Sequence, residues 1–533
     1  MASNTPQVVF GKAMAALESG EYQKAARLAR KLTKMAPDTA DAWQLRAMAA
    51  QRIGAHREAE RFLRKSLQLR PGDPATLNNL GNACREQGNL TEARAAYERS
   101  LERRPDHVPT LLNLGNVCFN QNDIANSLSA YRRAEKLDPT NRETLSVLAY
   151  AEMEDEDFAV ALKTYRRLEA LGEPDAEVMY GIFHAAVTLG RIDEGQAAAD
   201  RMLELSGGAP KYEVNASILH LLKGKWREGW KAYARRWEWQ PDHARPFPQP
   251  WWQGEDLSGR TLLVWGEQGI GDEVMYASMV SDLLGKGGRI VLECDPRLAR
   301  LFRAAFPDVT CVPRTDPPDP AALSADLQIP APALGQWLRT DEESFRKGPP
   351  FLAADASRVA DIREAYHRRL GGRALVGISW KSQNPEYGSR KSMSLEALRP
   401  LLEFPGAAFV DLQYGDTTAE RAAFAEKTGL ALYHDPDIDP IADIDSHAAQ
   451  IAALDLVISI SNSTVHLAAA MGVPTWVLLT EVPDRRWLMD RDDSPWYSAV
   501  RLFRQSRARD WQSVVADVRS KLPGFIGDPA AKA

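Results

Sequence analysis

The chain has 533 residues, of which 44% are hydrophobic and 26% are charged, and its formal net charge is -6. These values are typical of globular proteins and exclude a fibrous or globally disordered chain. A nucleic-acid or anionic-membrane binder would need a basic excess, which is absent. The N-terminus has no signal pattern and no apolar run reaches the ~18 residues of a membrane span. We therefore expect a cytoplasmic protein with no nucleic-acid partner and no membrane insertion.

The N-terminal part of the chain repeats with a period of 34 residues. The period is visible in the prolines Pro37, Pro71, Pro105 and Pro139, and in the turn positions Gly20, Gly54, Gly88, Asn122, Glu156, Gly190 and Gly224. Small residues recur in the same register at Ala13, Ala47, Gly81, Gly115 and Ala149. This is the tetratricopeptide pattern of paired helices. It predicts an all-α solenoid over residues 1–240 with six to seven helix pairs, the last two degenerate.

A stacked array of such pairs has a concave face that usually binds a protein segment. Four asparagines lie on first helices at repeat-equivalent positions, Asn79, Asn82, Asn113 and Asn116. We predict that they bind a protein acceptor through its backbone. Two alternatives stay open: the array only dimerises or spaces the rest of the chain, and the asparagines are solvated or cap neighbouring turns.

The junction after the repeats is rich in tryptophan. Six of the 14 tryptophans of the chain fall in one short stretch, at Trp226, Trp230, Trp237, Trp239, Trp251 and Trp252. They form either an aromatic platform for a sugar or, as we favour, rigid packing between the two halves of the chain. The proline-rich stretch PDHARPFPQPWW predicts an extended linker over residues 241–258.

The C-terminal half predicts two doubly wound α/β lobes, over residues 259–365 and 366–524. Strands are expected at TLLVWG, RIVLECD and VTCVP in the first lobe, and at ALVGISW, AAFVDLQ, DLVISI and PTWVLL in the second. Glycine turns and helices lie between these strands. In such sheets ligands bind at the carboxyl ends of the strands.

The first glycine turn, GEQGIGDE, places Asp272 directly after Gly271, with Gly269 two residues earlier. A carboxylate at this strand-to-helix turn can accept a proton from an attacking hydroxyl. A helix N-cap is the plainer interpretation of the same residue. A nicotinamide site is a third, but the glycines are spaced GxxGxG instead of GxGxxG.

The second lobe offers an anion site. In SISNSTVHLAAAMGVP a helix N-terminus follows a strand, and its polar side chains and free N–H groups suit a nucleotide phosphate. The predicted donor-binding residues here are Asn462, Ser463, Thr464 and His466, although a lone helical histidine is often structural. Three cations follow the first strand of this lobe in WKSQNPEYGSRKS: Lys381, Arg390 and Lys391. We predict that they neutralise the leaving phosphate, and the alternative is that they belong to a solvated loop. No metal-ligand pattern is found, which favours a metal-free mechanism.

At these motifs the half from about Gly224 to Phe503 resembles the tetratricopeptide-linked glycosyltransferases related to the heptosyltransferase family. The shared motifs are GKWREGWKAYARRW, GEQGIGDEVMYAS, LVGISWKSQNP, ISNSTVHLAAAMGVPTWVLL and WLMDRDDSPWYSAVRLFRQ. The resemblance implies a two-lobed GT-B fold and inverting sugar transfer, with Asp272 as the base. The donor phosphate contacts implied by the resemblance are Lys381, Lys391, Ser463, Thr464 and His466. The full donor site that we predict adds Gly269, Gly271, Arg390, Gln413 and Asn462. The pair Asn462-Ser463 departs from the Asp-Thr common in relatives, which puts the identity of the donor in doubt.

The layout also resembles the flagellin glycosyltransferases of polarly flagellated bacteria and, more distantly, the O-linked N-acetylglucosamine transferases. The former resemblance implies a pseudaminic-acid-type sugar, a CMP-linked donor and Ser or Thr acceptors on flagellin. UDP-, GDP- and ADP-linked donors remain alternatives, and no cofactor is expected. The sequence thus predicts an inverting, metal-independent protein O-glycosyltransferase. The rivals are a non-catalytic adaptor with a decayed transferase domain, and a heptosyltransferase acting on a lipid or polysaccharide.

Overall fold

A computed structural model describes residues 5–384, 388–507 and 509–527 of the chain. The chain divides into two compact units, Met1–Leu205 and Ser206–Ala533, which we call the array unit and the sheet unit. The last proline of the predicted motif LVGISWKSQNP lies outside the described residues, as do short stretches of the predicted domains 1–240 and 366–524. Within the described ranges, no helix combines the length and the apolarity needed to cross a membrane.

The array unit consists of helix pairs. Its helices are α1 Pro6–Glu18, α2 Tyr22–Met35, α3 Ala40–Arg52, α4 His56–Leu69, α5 Pro74–Arg85, α6 Leu90–Arg103, α7 Val108–Asn120, α8 Ile124–Leu137, α9 Arg142–Glu154, α10 Phe158–Ala170, α11 Ala176–Thr188 and α12 Ile192–Ser206. Each helix contacts the next one along the chain, from α1 with α2 up to α10 with α11. The helical tetratricopeptide solenoid predicted for this end of the chain is confirmed.

The turns inside the pairs share one backbone conformation. All seven predicted turn positions have positive φ angles: Gly20 75°, Gly54 76°, Gly88 80°, Asn122 60°, Glu156 58°, Gly190 73° and Gly224 69°. Glycine is favoured in this region because a Cβ atom clashes there. The repeat therefore imposes the conformation even at Glu156, where the sequence supplies no glycine.

Small residues let the helices of a pair approach closely. A Cβ atom added at Gly115 would lie 2.6 Å from Cδ1 of Tyr131, and one added at Gly81 would lie 2.6 Å from Cδ1 of Tyr97. Both tyrosines are buried in the core of the array unit. Where the chain has alanine at this position, as at Ala47, the equivalent of the tyrosine is the smaller Leu63. In these three repeats the sizes of the two positions compensate each other, whereas Ala149 stands in register with a tyrosine, Tyr165.

The sheet unit has a seventh helix pair, formed by the first two of its helices. Its helices are α13 Pro210–Leu222, α14 Trp226–Ala234, α15 Arg236–Trp239, α16 Ile270–Ala277, α17 Val280–Leu284, α18 Ala299–Ala305, α19 Pro320–Leu323, α20 Gly335–Leu338, α21 Ala356–Leu370, α22 Gly388–Lys391, α23 Arg399–Leu402, α24 Thr418–Thr428, α25 Ile444–Ala452, α26 Ser463–Ala470 and α27 Trp511–Ile526. Its strands are β1 Thr261–Trp265, β2 Arg289–Cys294, β3 Thr310–Pro313, β4 Leu327–Pro330, β5 Ala374–Ser379, β6 Ala407–Asp411, β7 Leu456–Ile460, β8 Thr475–Leu479 and β9 Val500–Arg504.

The strands form two parallel sheets. The first has the order β3-β2-β1-β4 and the second the order β6-β5-β7-β8-β9. Every ladder in both sheets is parallel, and β1 and β7 are buried along their whole length. Continuous burial is typical of strands covered by helices on both faces. The predicted parallel α/β region is thus confirmed, with β4 and β9 as strands that the sequence did not predict.

The seventh helix pair packs within the sheet unit through its tryptophans. Trp230 is buried and makes edge-on contacts with Tyr276 and Trp496, with ring centroids 6.4 Å apart in each case. Trp226 packs on Phe345 at 4.7 Å. Aromatic pairs of this kind stabilise a core beyond the area that they bury. The sheet unit therefore starts before residue 240, the predicted end of the solenoid.

The segment predicted as an extended linker lies against the first sheet. Phe247 and Trp252 are buried, and Gln249 donates to the backbone carbonyls of Ala322 and Leu323 at 3.0 and 2.9 Å. The guanidinium of Arg245 pairs with Glu293 at 2.7 Å. The segment is irregular in conformation, but it belongs to the core of the sheet unit.

The contact between Gly115 and Tyr131 yields a stability test. Overpacking a core costs about 1–3 kcal/mol, whereas changing glycine to alanine inside a helix otherwise gains about 1 kcal/mol. We expect Gly115→Ala to lower the melting temperature measured by circular dichroism. The control Gly11→Ala should raise it, because that Cβ has no atom within 4 Å. Adding Tyr131→Leu to Gly115→Ala should recover part of the loss. An equal rise for both alanine variants would contradict this account of the repeat.

Candidate functional site

A cavity of about 720 Å³ lies in the sheet unit where strands of both sheets end. The glycine turn after β1, the loop after β5, the turn after β7 and the segment after β8 all contribute to its wall. The lining residues are Gln268, Gly269, Ile270, Gly271, Asp272, Arg297, Ser382, Gln383, Asn384, Lys391, Tyr414, Pro440, Ile441, Ile444, His447, Ser461, Asn462, Ser463, His466, Leu467, Asp484, Arg485 and Arg486. Carboxyl ends of parallel strands are the usual place for ligands in such sheets.

Two helices from different sheets meet at this cavity. Helix α16 follows β1 and helix α26 follows β7, and the two helices contact each other near their N-terminal ends. At the contact, a Cβ atom on Gly271 would lie 2.8 Å from Cδ2 of His466 and 3.3 Å from Cα of Ser463. Only glycine allows this approach. The positive ends of two helix dipoles are consequently directed toward one cavity.

The carboxylate of Asp272 forms an ion pair across the two sheets. Its Oδ1 accepts from Arg486 at 2.8 Å, and both side chains are largely buried, at 19% and 13% exposed. The same guanidinium contacts Asp484 at 2.8 Å. Burial opposes the charged form of Arg486, but the two carboxylates outweigh it and hold the pKa of Arg486 well above its ordinary value. The other oxygen of Asp272 has no hydrogen-bond partner among the described residues.

His466 holds Arg486 from the other side. Its Nε2 lies 3.2 Å from Arg486 and its Nδ1 lies 2.9 Å from the hydroxyl of Tyr497. Its ring stacks on Trp487 with centroids 5.5 Å apart. Burial, assisted by Arg486, lowers the pKa of His466 well below its ordinary value. A neutral imidazole in this place accepts from Arg486 and adds no charge to the cavity.

The cavity wall contains more cations than carboxylates. Its cations are Arg297, Lys391, Arg485 and Arg486, against the carboxylates of Asp272 and Asp484. Arg297 is neutralised by a pair with Asp295 outside the wall, at 2.9 Å. Lys391 forms no ion pair with any described residue, and burial lowers its pKa. The remaining excess of positive charge makes the cavity a place for an anion.

Seven of the predicted catalytic and donor-binding residues line this cavity. They are Gly269, Gly271, Asp272, Lys391, Asn462, Ser463 and His466. The structure places the other four, Lys381, Arg390, Gln413 and Thr464, outside the wall. A role for those four in donor binding remains a prediction.

Three of the predicted residues brace the loop after β5. The side-chain oxygen of Gln413 accepts from the backbone N–H groups of Trp380 and Lys381 at 2.8 and 2.7 Å. Asn462 caps α26 and donates to Ser379 at 2.7 Å. The ammonium of Lys381 pairs with Glu420 at 2.6 Å, away from the cavity. Asn462 donates to its neighbours, which a carboxylate in the same place could not do.

The four asparagines predicted to bind an acceptor lie in the array unit and are partly exposed. The side-chain oxygens of Asn82 and Asn116 accept from the tyrosine hydroxyls of their own repeats at 2.7 and 2.5 Å. Asn113 donates to Asn78 at 3.2 Å. The side chain of Asn79 has no hydrogen-bond partner among the described residues. Three of the four asparagines therefore form hydrogen bonds within the array unit, and Asn79 is the one whose side-chain amide has no partner among the described residues.

The arginine turn, Arg485–Trp487, and the Asp484 that caps it were not predicted from the sequence. Tyr497, whose hydroxyl lies 2.9 Å from Nδ1 of His466, was not predicted as a site residue either. A signal was present, because this segment follows the carboxyl end of a strand. The motif noted there begins at Trp487, one residue after Arg486. Nothing in the local sequence indicates that Arg486 contacts Asp272, more than 200 residues earlier.

Comparisons with known proteins identify the repeats. Two tetratricopeptide repeat models match residues 10–74 and 73–140. Protein FlbA of Caulobacter vibrioides is 34% identical over 368 residues, which cover 64% of this chain and 60% of FlbA. The match thus spans less than two thirds of that relative.

Solved structures with similar regions include three proteins of low identity. PilF of Pseudomonas aeruginosa is 19% identical with a TM-score of 0.35, and covers 39% of this chain and 95% of its own. PilW, a type IV pilus biogenesis factor, is 18% identical with a TM-score of 0.36, covering 40% and 99%. YrrB, a tetratricopeptide protein with a peptide-binding site, is 15% identical with a TM-score of 0.33, covering 35% and 96%. The chain thus contains tetratricopeptide repeats and, after them, a parallel-sheet α/β region, and such repeats generally bind proteins or peptides.

The close approach at Gly271 provides a test of the site's architecture. Gly271→Ala should force α16 and α26 apart and lower the melting temperature, since overpacking costs about 1–3 kcal/mol. Gly269→Ala is the matched control, because its added Cβ would meet only Asp272 at 3.8 Å. We expect thermal unfolding to separate the two variants clearly. Equal melting temperatures would show that the contact between the helices is not tight.

Proposed function

We propose that the chain is an inverting protein O-glycosyltransferase of the GT-B type that works in the cytoplasm. The observation that carries the proposal is the cavity between the two sheets, where the carboxylate of Asp272 lies beside an excess of partly buried cations. The cations suit the phosphate of a nucleotide sugar, and the carboxylate suits the proton of an acceptor hydroxyl. The resemblance to glycosyltransferases found in the sequence supports the same conclusion.

The chemistry follows from this arrangement. The oxygen of a Ser or Thr hydroxyl attacks the anomeric carbon of the donor, and its proton passes to the free oxygen of Asp272. The bond between the anomeric carbon and the phosphate oxygen breaks, and its electron pair leaves with the nucleotide. Lys391 and Arg485 stabilise the charge that develops on that phosphate. Attack from the side opposite the leaving group inverts the anomeric centre.

The ion pair with Arg486 orients the base. Arg486 holds Oδ1 of Asp272 at 2.8 Å, which leaves the second oxygen to meet the acceptor. Asp484 and His466 fix the guanidinium in turn, so its position does not depend on Asp272 alone. A base held in one geometry contributes through orientation as well as through proton transfer.

The donor is expected to carry two negative charges. A CMP-linked nonulosonate has one on its phosphate and one on its sugar carboxylate, and a UDP-, GDP- or ADP-linked sugar has both on its diphosphate. Lys391 together with Arg485 matches either distribution. The resemblance to flagellin glycosyltransferases favours the CMP-linked donor and flagellin as the acceptor bound by the array.

The proposed base is tested by Asp272→Asn, which keeps the shape of the side chain and an oxygen for Arg486. Removing a general base slows transfer by about 10²–10⁴. We expect that loss in the rate of nucleotide release from the donor sugar, with nucleotide affinity nearly unchanged. The control is Asp361→Asn, an exposed carboxylate on α21. Wild-type turnover in Asp272→Asn would remove this residue from the reaction.

The proposed phosphate site is tested by a pair of lysine variants. Lys391→Met should weaken the affinity for CMP and UDP, since a hydrogen bond to a charged group contributes about 1.5–3 kcal/mol, or about 10- to 150-fold. Lys381→Met removes an ammonium ten residues away that already pairs with Glu420. Isothermal titration should show a small effect for Lys381→Met. Equal effects of the two variants would place the phosphate elsewhere.

The acceptor role of the array is tested by Asn79→Ala in the full chain. Loss of one peptide hydrogen bond should weaken binding of flagellin by about 2- to 10-fold, the equivalent of 0.5–1.5 kcal/mol. The affinity for the nucleotide should stay unchanged. Asn120→Ala, an exposed asparagine at the end of α7, is the control. If flagellin binds Asn79→Ala as tightly as wild type in biolayer interferometry, the repeat asparagines do not hold the acceptor.

A further inference from the structure

Tyr233 connects the seventh helix pair to the cavity, and no role has been assigned to it so far. It lies near the C-terminal end of α14 and is 7% exposed. Its hydroxyl accepts from Nε2 of Gln268 at 3.0 Å and from the guanidinium of Arg236. Its ring lies under the guanidinium of Arg485, 4.5 Å from the ring centroid. One side chain therefore contacts both Gln268 and Arg485, which line the cavity from different sheets.

The first contact holds the glycine turn. Gln268 has a φ of 64°, a left-handed conformation that disfavours a residue with a Cβ atom. Its neighbour Glu267 forms an ion pair with Arg236, on the helix that follows α14. Tyr233 and Arg236 thus hold two consecutive residues of the turn, which continues directly into α16 and Asp272. The bonds from Tyr233 and Arg236 favour the unusual backbone conformation of Gln268.

The second contact holds the arginine turn. The aromatic ring of Tyr233 attracts the guanidinium of Arg485 through a cation–π interaction. Arg485 also reaches the hydroxyl of Tyr276 at 3.5 Å. Arg485 directly precedes Arg486, the partner of Asp272. Tyr233 accordingly contacts the two segments that must stay in register for the ion pair between Asp272 and Arg486 to form.

We propose that Tyr233 is a positioning residue that fixes the glycine turn against the arginine turn, so that the seventh helix pair is part of the transfer machinery. Its hydroxyl sets the position of Asp272 through Gln268, and its ring sets the position of Arg485. The activity readout of this proposal rests on the proposed glycosyl transfer. The structural readout does not.

The experiment compares three variants of the full chain. Tyr233→Phe removes the hydroxyl and keeps the ring under Arg485, whereas Tyr233→Leu removes both. The control Tyr433→Phe removes another tyrosine hydroxyl of the sheet unit, which accepts from Arg369 at 2.9 Å and lies outside the cavity wall. Melting temperatures identify a temperature at which all variants are folded, and the other measurements are made there.

Hydrogen–deuterium exchange gives the structural readout. We expect Tyr233→Leu to speed exchange in residues 266–272 and 484–487, Tyr233→Phe to speed it only in residues 266–272, and Tyr433→Phe to speed neither. Unchanged exchange in both segments of folded Tyr233→Leu would overturn the proposal, whatever the reaction of the protein is.

Kinetics and binding give the functional readout. Displacement of a catalytic group by about 1 Å can cost 10²-fold in rate, so we expect kcat of Tyr233→Phe to fall about tenfold with the Kd for CMP unchanged. Tyr233→Leu should in addition raise the Kd for CMP by at least threefold. Wild-type kcat and Kd in both folded variants would overturn the positioning role. Failure of the wild-type chain itself to bind CMP, UDP, GDP or ADP would instead sink the proposed function, and the exchange data would still decide the role of Tyr233.

Discussion

The ion pair between Asp272 and Arg486 joins segments that follow strands of the two sheets, at the wall of the cavity. Asp272 is carried by the helix after β1, and Arg486 by the turn after β8, so the pair forms only when both sheets are in place. A buried charge left without its partner costs several kcal/mol, on the order of 3–5. The surrounding groups are arranged to prevent this: Asp484 and His466 hold the guanidinium, and Gly271 gives the helices room to approach.

The boundary between the array unit and the sheet unit lies earlier in the chain than the sequence suggests. The seventh helix pair continues the 34-residue period, yet its tryptophans pack in the core of the sheet unit and its Tyr233 contacts the cavity wall. A fragment that begins after the seventh helix pair, for example at Phe247, would expose that core. The repeat pattern therefore continues into a region whose packing belongs to the α/β fold.

The sequence predicted most of the fold because the signals are local. The 34-residue period gives the helix pairs and even the left-handed turn at Glu156, and continuous apolar runs give seven of the nine strands. The local sequence also placed Asp272, Lys391 and Asn462 in segments that follow strands, and all three line the cavity. Residues whose surroundings depend on tertiary contacts were harder. Gln413 and Lys381 resemble ligand residues by position, but they bond to the loop and to Glu420, and Arg486 meets Asp272 only in the folded chain.

The most direct test of the central claim is intact-mass spectrometry of flagellin incubated with the full chain and one nucleotide sugar at a time, CMP-nonulosonate first. The account predicts a mass gain of whole sugar residues on Ser or Thr with one donor class, together with stoichiometric release of the nucleotide. If flagellin binds the chain but gains no mass with CMP-, UDP-, GDP- or ADP-linked donors, the chain is an adaptor and the cavity between the sheets is not a transfer site.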